Sequence, residues 1–175
     1  MTYLPEQATY HAHRLVSSAN AEEAFTRSLT SARVEMNPHQ VNAALFALRS
    51  PLSKGVLLAD EVGLGKTIEA CLILNQMIVC GRVNRVFILL PNSLVNQWFI
   101  ELLRRFNLWF SIFDEERCCA IENSQPGFNP FEDDQLLIAD IDWLSKSAKR
   151  MEQAVQAPWD LLIVDEAQNL SFEAL

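Results

Sequence analysis

The stretch from Val56 to Ala70 limits what this chain can fold into more than any other part of it. An apolar run of strand type, Val56-Leu57-Leu58-Ala59, passes into a loop holding Gly63 and Gly65. Lys66-Thr67 then opens a long apolar segment of helical type. Strand, glycine loop and helix in that order make a phosphate site when a lysine and a hydroxyl follow the second glycine. Backbone N–H groups of the loop can face a phosphate, and the helix N-terminus adds partial positive charge. A side chain at Gly63 or Gly65 would hold the backbone away from that phosphate. The general pattern G-x-x-x-x-G-K-[ST] places its first glycine at residue 60, where this chain has Asp60. A glycine turn with a solvated lysine is therefore a second reading of the same string.

Length and charge bound the rest. The chain has 175 residues, half of them hydrophobic, with a mean hydropathy of +0.06. That suffices for one globular domain with a core of its own. No apolar run reaches the roughly 18 residues that a membrane span needs, and the N-terminus carries no basic-then-apolar signal pattern. The cysteines, Cys71, Cys80, Cys118 and Cys119, lack zinc-site spacing. Reduced thiols in a cytoplasmic protein are expected. The net charge of −8 argues against strong nucleic-acid binding by this segment alone, because phosphate neutralisation supplies most such affinity. Basic residues cluster locally as Arg82 with Arg85, Arg104-Arg105, and Lys146 with Lys149-Arg150. They are read as solvated helix faces. His11 and His13 have no acidic or cysteine neighbour in sequence and are read as surface or packing histidines.

Residues 18–35 read as a helix, and Asn37-Pro38-His39-Gln40 starts another that runs to Arg49. Proline suits a first-turn position. The segment after Lys66 should run to Cys80 and stop at Gly81, buried nearly all round. Arg85–Pro91, Phe110–Phe113, Leu136–Ala139 and Asp160–Val164 read as further strands. Helices are expected from Leu94 to Phe106, capped by Asn92 or Ser93, near Trp143, and around Met151–Val155; residues 123–134 read as a loop. Strands alternating with helices predict an α/β fold with a parallel sheet covered on both faces. Ligands in such sheets bind beyond the carboxyl ends of the strands. The glycine loop and the acidic pair Asp165-Glu166 both leave such ends. One can hold phosphates; the other can ligate Mg²⁺ and activate water. Solvated carboxylates at a strand end are the alternative for the pair taken alone.

The strings together resemble the SWI/SNF-type ATPases of helicase superfamily two. LLADEVGLGKTIEA is similar to motif I, where Asp commonly stands in place of the first glycine; NPHQ to the Q motif; FILLPNSLVNQW to motif Ia; IADIDWL to motif Ib; and LLIVDEAQ to motif II. Gln40 lies 26 residues before Lys66, a spacing similar to the family's. The likeness runs from Pro38 to Gln168 and is strongest to the bacterial branch that recycles RNA polymerase, although residues 1–36 do not resemble that branch's polymerase-binding modules. The resemblance implies an incomplete RecA-like P-loop lobe over 37–175 behind a helical lead-in over 1–36. Motif III and a second lobe with its arginine finger are absent from this sequence, so the sheet should lack a strand.

The resemblance also implies roles. Gln40 reads adenine, and Asp60, Glu61, Val62, Gly63, Leu64, Gly65, Lys66 and Thr67 hold the phosphates of ATP. Thr67 and Asp165 ligate Mg²⁺, and Glu166 is the base. Pro91, Asn92, Ser93 and Asp140 approach a nucleic-acid backbone. Gln168 stands where the family usually has His, so coupling between the two sites is expected to differ. The implied activity is ATP hydrolysis driving translocation on duplex nucleic acid and remodelling of bound proteins. The 175-residue piece alone is expected to bind nucleotide weakly without turnover. A non-motor nucleotide-binding or regulatory module is the alternative, separated by whether nucleic acid stimulates hydrolysis.

Overall fold

A computed structural model describes residues 38–49, 55–59 and 65–167. The readings made for residues 1–37, for Asp60, Glu61, Val62, Gly63 and Leu64, and for Gln168 lie outside the described residues. The chain divides into two units, Met1–Arg82 and Val83–Leu175, and each is taken by itself below.

In the first unit, α1 (Pro38–Arg49) begins on the proline that already has a helical φ. It packs on α2 (Lys66–Val79). The end of α2 follows from Gly81, whose φ of +65° only glycine adopts cheaply. The Gly81 N–H donates to the Ile78 carbonyl and the Arg82 N–H to the Met77 carbonyl, a Schellman closure of the orphan carbonyls. α2 buries Cys71, Leu72 and Leu74, together with the polar Glu69, Asn75 and Gln76, while Val79 is exposed. The all-round apolar reading therefore holds only in part.

The strand expected over Val56–Ala59 is absent. Residues 55–59 have no strand structure, and Val56 and Leu57 are exposed. A β-strand exists only where a second strand accepts its N–H and C=O groups. No described residue pairs with this run. Apolar character sets the preference and cannot supply the partner.

The second unit is a four-stranded parallel sheet in the order β2-β3-β1-β4. Its strands are β1 (Val86–Leu90), β2 (Ser111–Phe113), β3 (Leu136–Asp140) and β4 (Leu161–Val164). Phe87 pairs with Leu137 and Leu162, and Leu90 pairs with Asp140. Strand alternation then sorts the core. Phe87, Leu137 and Ala139 face α4 (Glu115–Ser124), the 3₁₀ turn Pro130–Glu132, α5 (Ile141–Ser145) and α6 (Ala148–Gln156). Val86, Ile88, Leu90 and Ile138 are fully buried on the opposite face, where α3 (Asn92–Phe106) lies. α3 inserts Val95, Trp98, Leu102 and Phe106, a stripe at helical spacing. Each full burial of an aliphatic side chain of this size contributes about 1.5–3 kcal/mol.

Helix starts differ in two places from the sequence reading. α3 begins at Asn92 with Pro91 at the N-cap, its carbonyl accepting from the Leu94 N–H. Neither Asn92 nor Ser93 caps it. α4 is absent from the sequence reading; Asp114 caps it by accepting from the Arg117 N–H, and Glu115 and Glu116 fill its first turn. That D-E-E string is a legible start signal.

Two of the basic residues read as solvated are held by partners within the fold, Arg85 half-buried and Arg150 buried. Arg85 donates to the Phe131 and Asp134 carbonyls, each at 2.9 Å, and its guanidinium lies over the Trp159 ring. Arg150 is only 2% exposed. Its Nε and Nη2 grip Glu115 at 3.1 and 2.6 Å, and Nη1 reaches Glu122 at 2.7 Å and Gln153 at 2.9 Å. A guanidinium has five fixed donors, and partners on two helices can satisfy most of them at once. The Arg150 hydrogen bonds hold the Glu115 and Glu122 carboxyls down at about 2. Arg150 thus joins α4 to α6 and is no part of a nucleic-acid surface.

Candidate functional site

The parallel register collects three of the expected stretches at one rim. Pro91-Asn92-Ser93 leaves β1, Asp140 ends β3, and Asp165-Glu166 leaves β4. β1 is flanked by β3 and β4. Strand spacing of about 4.8 Å puts all three exits within roughly 10 Å across the sheet.

Asp165 is the most constrained group of the rim. Its backbone N–H donates to the Leu89 carbonyl at 3.0 Å, which extends the β1–β4 ladder by one residue. Its Oδ2 accepts from the Trp98 indole Nε1 at 2.9 Å. Its Oδ1 accepts from the Glu166 N–H at 2.9 Å. Glu166 is exposed and has φ +53°. A non-glycine residue in that left-handed region costs about 1–2 kcal/mol, and such residues gather at functional sites. The turn lets the Glu166 amide fold back onto the Asp165 carboxylate.

Asn92 and Ser93 are exposed at the N-terminal end of α3, where helix N–H groups and dipole suit a phosphate. Asp140 is placed differently. Its carboxylate accepts from the Asp142 N–H at 3.0 Å and caps α5.

In the first unit, Gln40, Gly65, Lys66 and Thr67 come together at the start of α2. Gly65 is its N-cap, with φ +89°, and its carbonyl accepts from the Ile68 and Glu69 N–H groups at 2.8 and 3.2 Å. Gln40 is 5% exposed. A Cβ built on Gly65 would overlap the Gln40 amide nitrogen. A side chain at this position would have to push the Gln40 amide aside and bear a left-handed φ. Lys66 and Thr67 occupy the first turn of α2, both partly exposed.

The donors fit the cofactors that the sequence implies. Mg²⁺ takes hard oxygen ligands. A carboxylate pinned by two N–H donors, beside a second carboxylate, offers such oxygens at a strand's carboxyl end. A glycine-only helix start followed by Lys-Thr is suited to phosphate oxygens. Gly65→Ala is expected to weaken nucleotide binding at least tenfold. Displacement of the Gln40 amide is what a titration with a fluorescent nucleotide reads; the left-handed strain of about 1–2 kcal/mol falls on folding stability and is read by thermal melting.

Sequence reading gave Trp98 no role of its own. Its partner lies 67 residues away, and nothing local signals that. Asp160 likewise reads from the sequence only as a strand start. Its Oδ2 accepts from the Asn84 and Arg85 N–H groups at 2.8 and 2.9 Å, bonds that lower its pKa. They lock β4 to β1 at the end opposite the rim.

Comparison with known proteins identifies the family and the fold. The SNF2-related domain model matches residues 16–174. The RNA polymerase-associated protein RapA of Vibrio vulnificus is 50% identical over 146 residues, covering 83% of this chain and 15% of that protein. RapA of Actinobacillus pleuropneumoniae is 48% identical over 151 residues, covering 83% and 16%. The chain thus spans about 15% of the length of the curated relatives that it matches. Among solved structures, the Sulfolobus solfataricus SWI2/SNF2 ATPase core in complex with dsDNA aligns with a TM-score of 0.64. Its identity is 23%, over 79% of this chain and 27% of that one, so the likeness speaks for the fold. With a family match over nearly the whole sequence, near-50% relatives and a parallel sheet whose rim carries Asp-Glu, the chain belongs to the SNF2-related domain family and has the fold of a RecA-like SWI/SNF ATPase lobe.

Proposed function

We propose that the protein to which this chain belongs hydrolyses ATP with Mg²⁺ and uses the energy to move on duplex DNA and remodel protein bound there. The observation that carries the reading is the Asp165-Glu166 rim, with its first carboxylate pinned and its second exposed beside it. The relatives support the partners. The curated relatives are called RNA polymerase-associated, and the structural neighbour is a complex with dsDNA. A DNA-bound polymerase is accordingly the proposed object of remodelling.

In this reading Asp60, Glu61, Val62, Gly63, Leu64 and Gly65 cradle the phosphates. Lys66 contacts the β- and γ-phosphate oxygens, and Gln40 reads adenine. Thr67 and Asp165 are the metal ligands. A bound Mg²⁺ ion supplies charge neutralisation on the phosphates. Glu166 accepts the proton of the attacking water. Asn92 and Ser93 offer the amides of the α3 N-terminus to the nucleic-acid backbone, with Pro91 and Asp140 beside them. Pro91 sets the helix entry, and Asp140 serves as the cap of its neighbour. With Arg85 bonded to backbone carbonyls, Arg150 buried and a net charge of −8, nucleic-acid affinity from this lobe is weak.

Duplex-stimulated hydrolysis tests the reading. In the complete protein, dsDNA should raise ATP turnover, and Lys66→Ala should abolish it, by at least about 10²–10³-fold if the lysine acts as one preorganised charge donor. Nucleotide binding without any turnover, with or without duplex, would favour a regulatory module and overturn the motor.

A further inference from the structure

We infer that Trp98 is a positioning residue for the metal-ligating carboxylate of Asp165; the inference rests on the Mg²⁺–nucleotide reading above. Asp165 follows the last residue of β4, where the ladder stops restraining the chain. One backbone bond, to Leu89, holds its main chain. The side chain would still rotate without further contacts. Its two oxygens are held from different directions, Oδ1 by the adjacent Glu166 N–H and Oδ2 by the Trp98 indole. Only the second bond ties the carboxylate to another element of the fold.

The donor is suited to the task in three ways. Trp98 is 2% exposed within the α3 stripe, so its ring has no freedom to swing away. An indole N–H is a donor only and cannot be reversed as an amide can. It is also neutral. An Arg or Lys would orient Asp165 equally well but would repel the metal. A neutral donor leaves the full carboxylate charge for Mg²⁺. Each carboxylate oxygen accepts about two hydrogen bonds or ligands, so both keep capacity for the metal or its water. Hydrogen-bonded supports of this kind typically tune metal affinity 10–100-fold. Trp98 also lies six residues from Asn92 on the same helix, about 9 Å along its axis. The segment that meets the nucleic-acid backbone and the prop of the metal ligand are thus one rigid helix.

Trp98→Phe, made in the complete protein, keeps a ring in the stripe and removes the donor. Mg²⁺ titrated against a bound fluorescent ATP analogue should need about tenfold more metal. Nucleotide affinity without Mg²⁺ should stay within twofold, because the phosphate cradle is untouched. A merely structural role would lower thermal stability and shift both affinities together. The unsubstituted protein gives an independent signature. Among the tryptophans of this chain, the indole ¹H–¹⁵N resonance of Trp98 should move when Mg²⁺ is added to the nucleotide complex, more than those of Trp109, Trp143 and Trp159. An unchanged Mg²⁺ requirement in a folded Trp98→Phe variant, or a Trp98 resonance indifferent to metal, would overturn the inference and leave the nucleotide reading intact. Absence of Mg²⁺-dependent nucleotide binding in the unsubstituted protein would sink both.

Discussion

Glu166→Gln in the complete protein is expected to keep nucleotide binding within about twofold and to lose hydrolysis by 10²–10⁴-fold, the usual contribution of a positioned base. The reason is local. Glu166 leaves β4 in a left-handed turn, φ +53°, with its amide folded onto Asp165. Asp165 has both oxygens engaged by N–H donors, while Glu166 is exposed to solvent, where a base must meet water. Gln has the same length and fits the same turn but accepts no proton. Single-turnover hydrolysis beside equilibrium nucleotide titration reads the two effects apart. Full turnover in the Gln variant would assign the base elsewhere.

The largest effect on stability belongs to Arg150→Ala. Removing a buried guanidinium strips Glu115 and Glu122 of their main partner and leaves a cavity between α4 and α6. Breaking a buried pair from one side costs about 3–5 kcal/mol. The lower end applies, because the Glu115 side chain is 55% exposed and rehydrates. About 3 kcal/mol corresponds to a fall of roughly 6–12 °C in the melting temperature of a domain this size. The pH dependence has a definite sign. Glu115 and Glu122 bind their protons at about 2 in the folded chain, against an ordinary 4.5. The unfolded chain therefore binds more protons between these values, and stability rises with pH across that window. It is fully present above about 4.5 and lost as pH falls through 2, while Arg150 stays charged. Acid unfolding followed by circular dichroism should be shallower in Arg150→Ala over that range. An equally steep loss in the variant would place the acid-sensitive carboxylates elsewhere.

Both variants rest on features of different legibility. The Asp165-Glu166 pair could be read from the sequence because an apolar strand ends there, and the polarity change is abrupt. Arg150 could not. Its neighbours Lys146 and Lys149 make it look like one charge of a solvated face, and its carboxylate partners lie 28 and 35 residues earlier. Trp98 belongs to the same class. The acceptor of its N–H lies 67 residues away, and the stripe it occupies on α3 is a finding of the structure. The run Val56–Ala59 failed in the opposite direction. It has every local mark of a strand and no ladder partner among the described residues.

Amino-acid order by itself determined most of what is local or periodic. It set the start of α1 at Pro38, the stop of α2 at Gly81, the four strands of the sheet, and the Lys-Thr and Asp-Glu strings. These follow from backbone sterics, capping and hydrophobic period, which act within about a dozen residues. Tertiary structure alone decided which strands neighbour one another, and hence that Ser93, Asp140 and Asp165 share a rim. It also decided that Arg85 and Arg150 turn inward and that Trp98 holds Asp165. Those outcomes depend on groups 28–67 residues apart. A hydrogen bond or a buried ion pair is chosen by which polar groups are left without water once the core has closed.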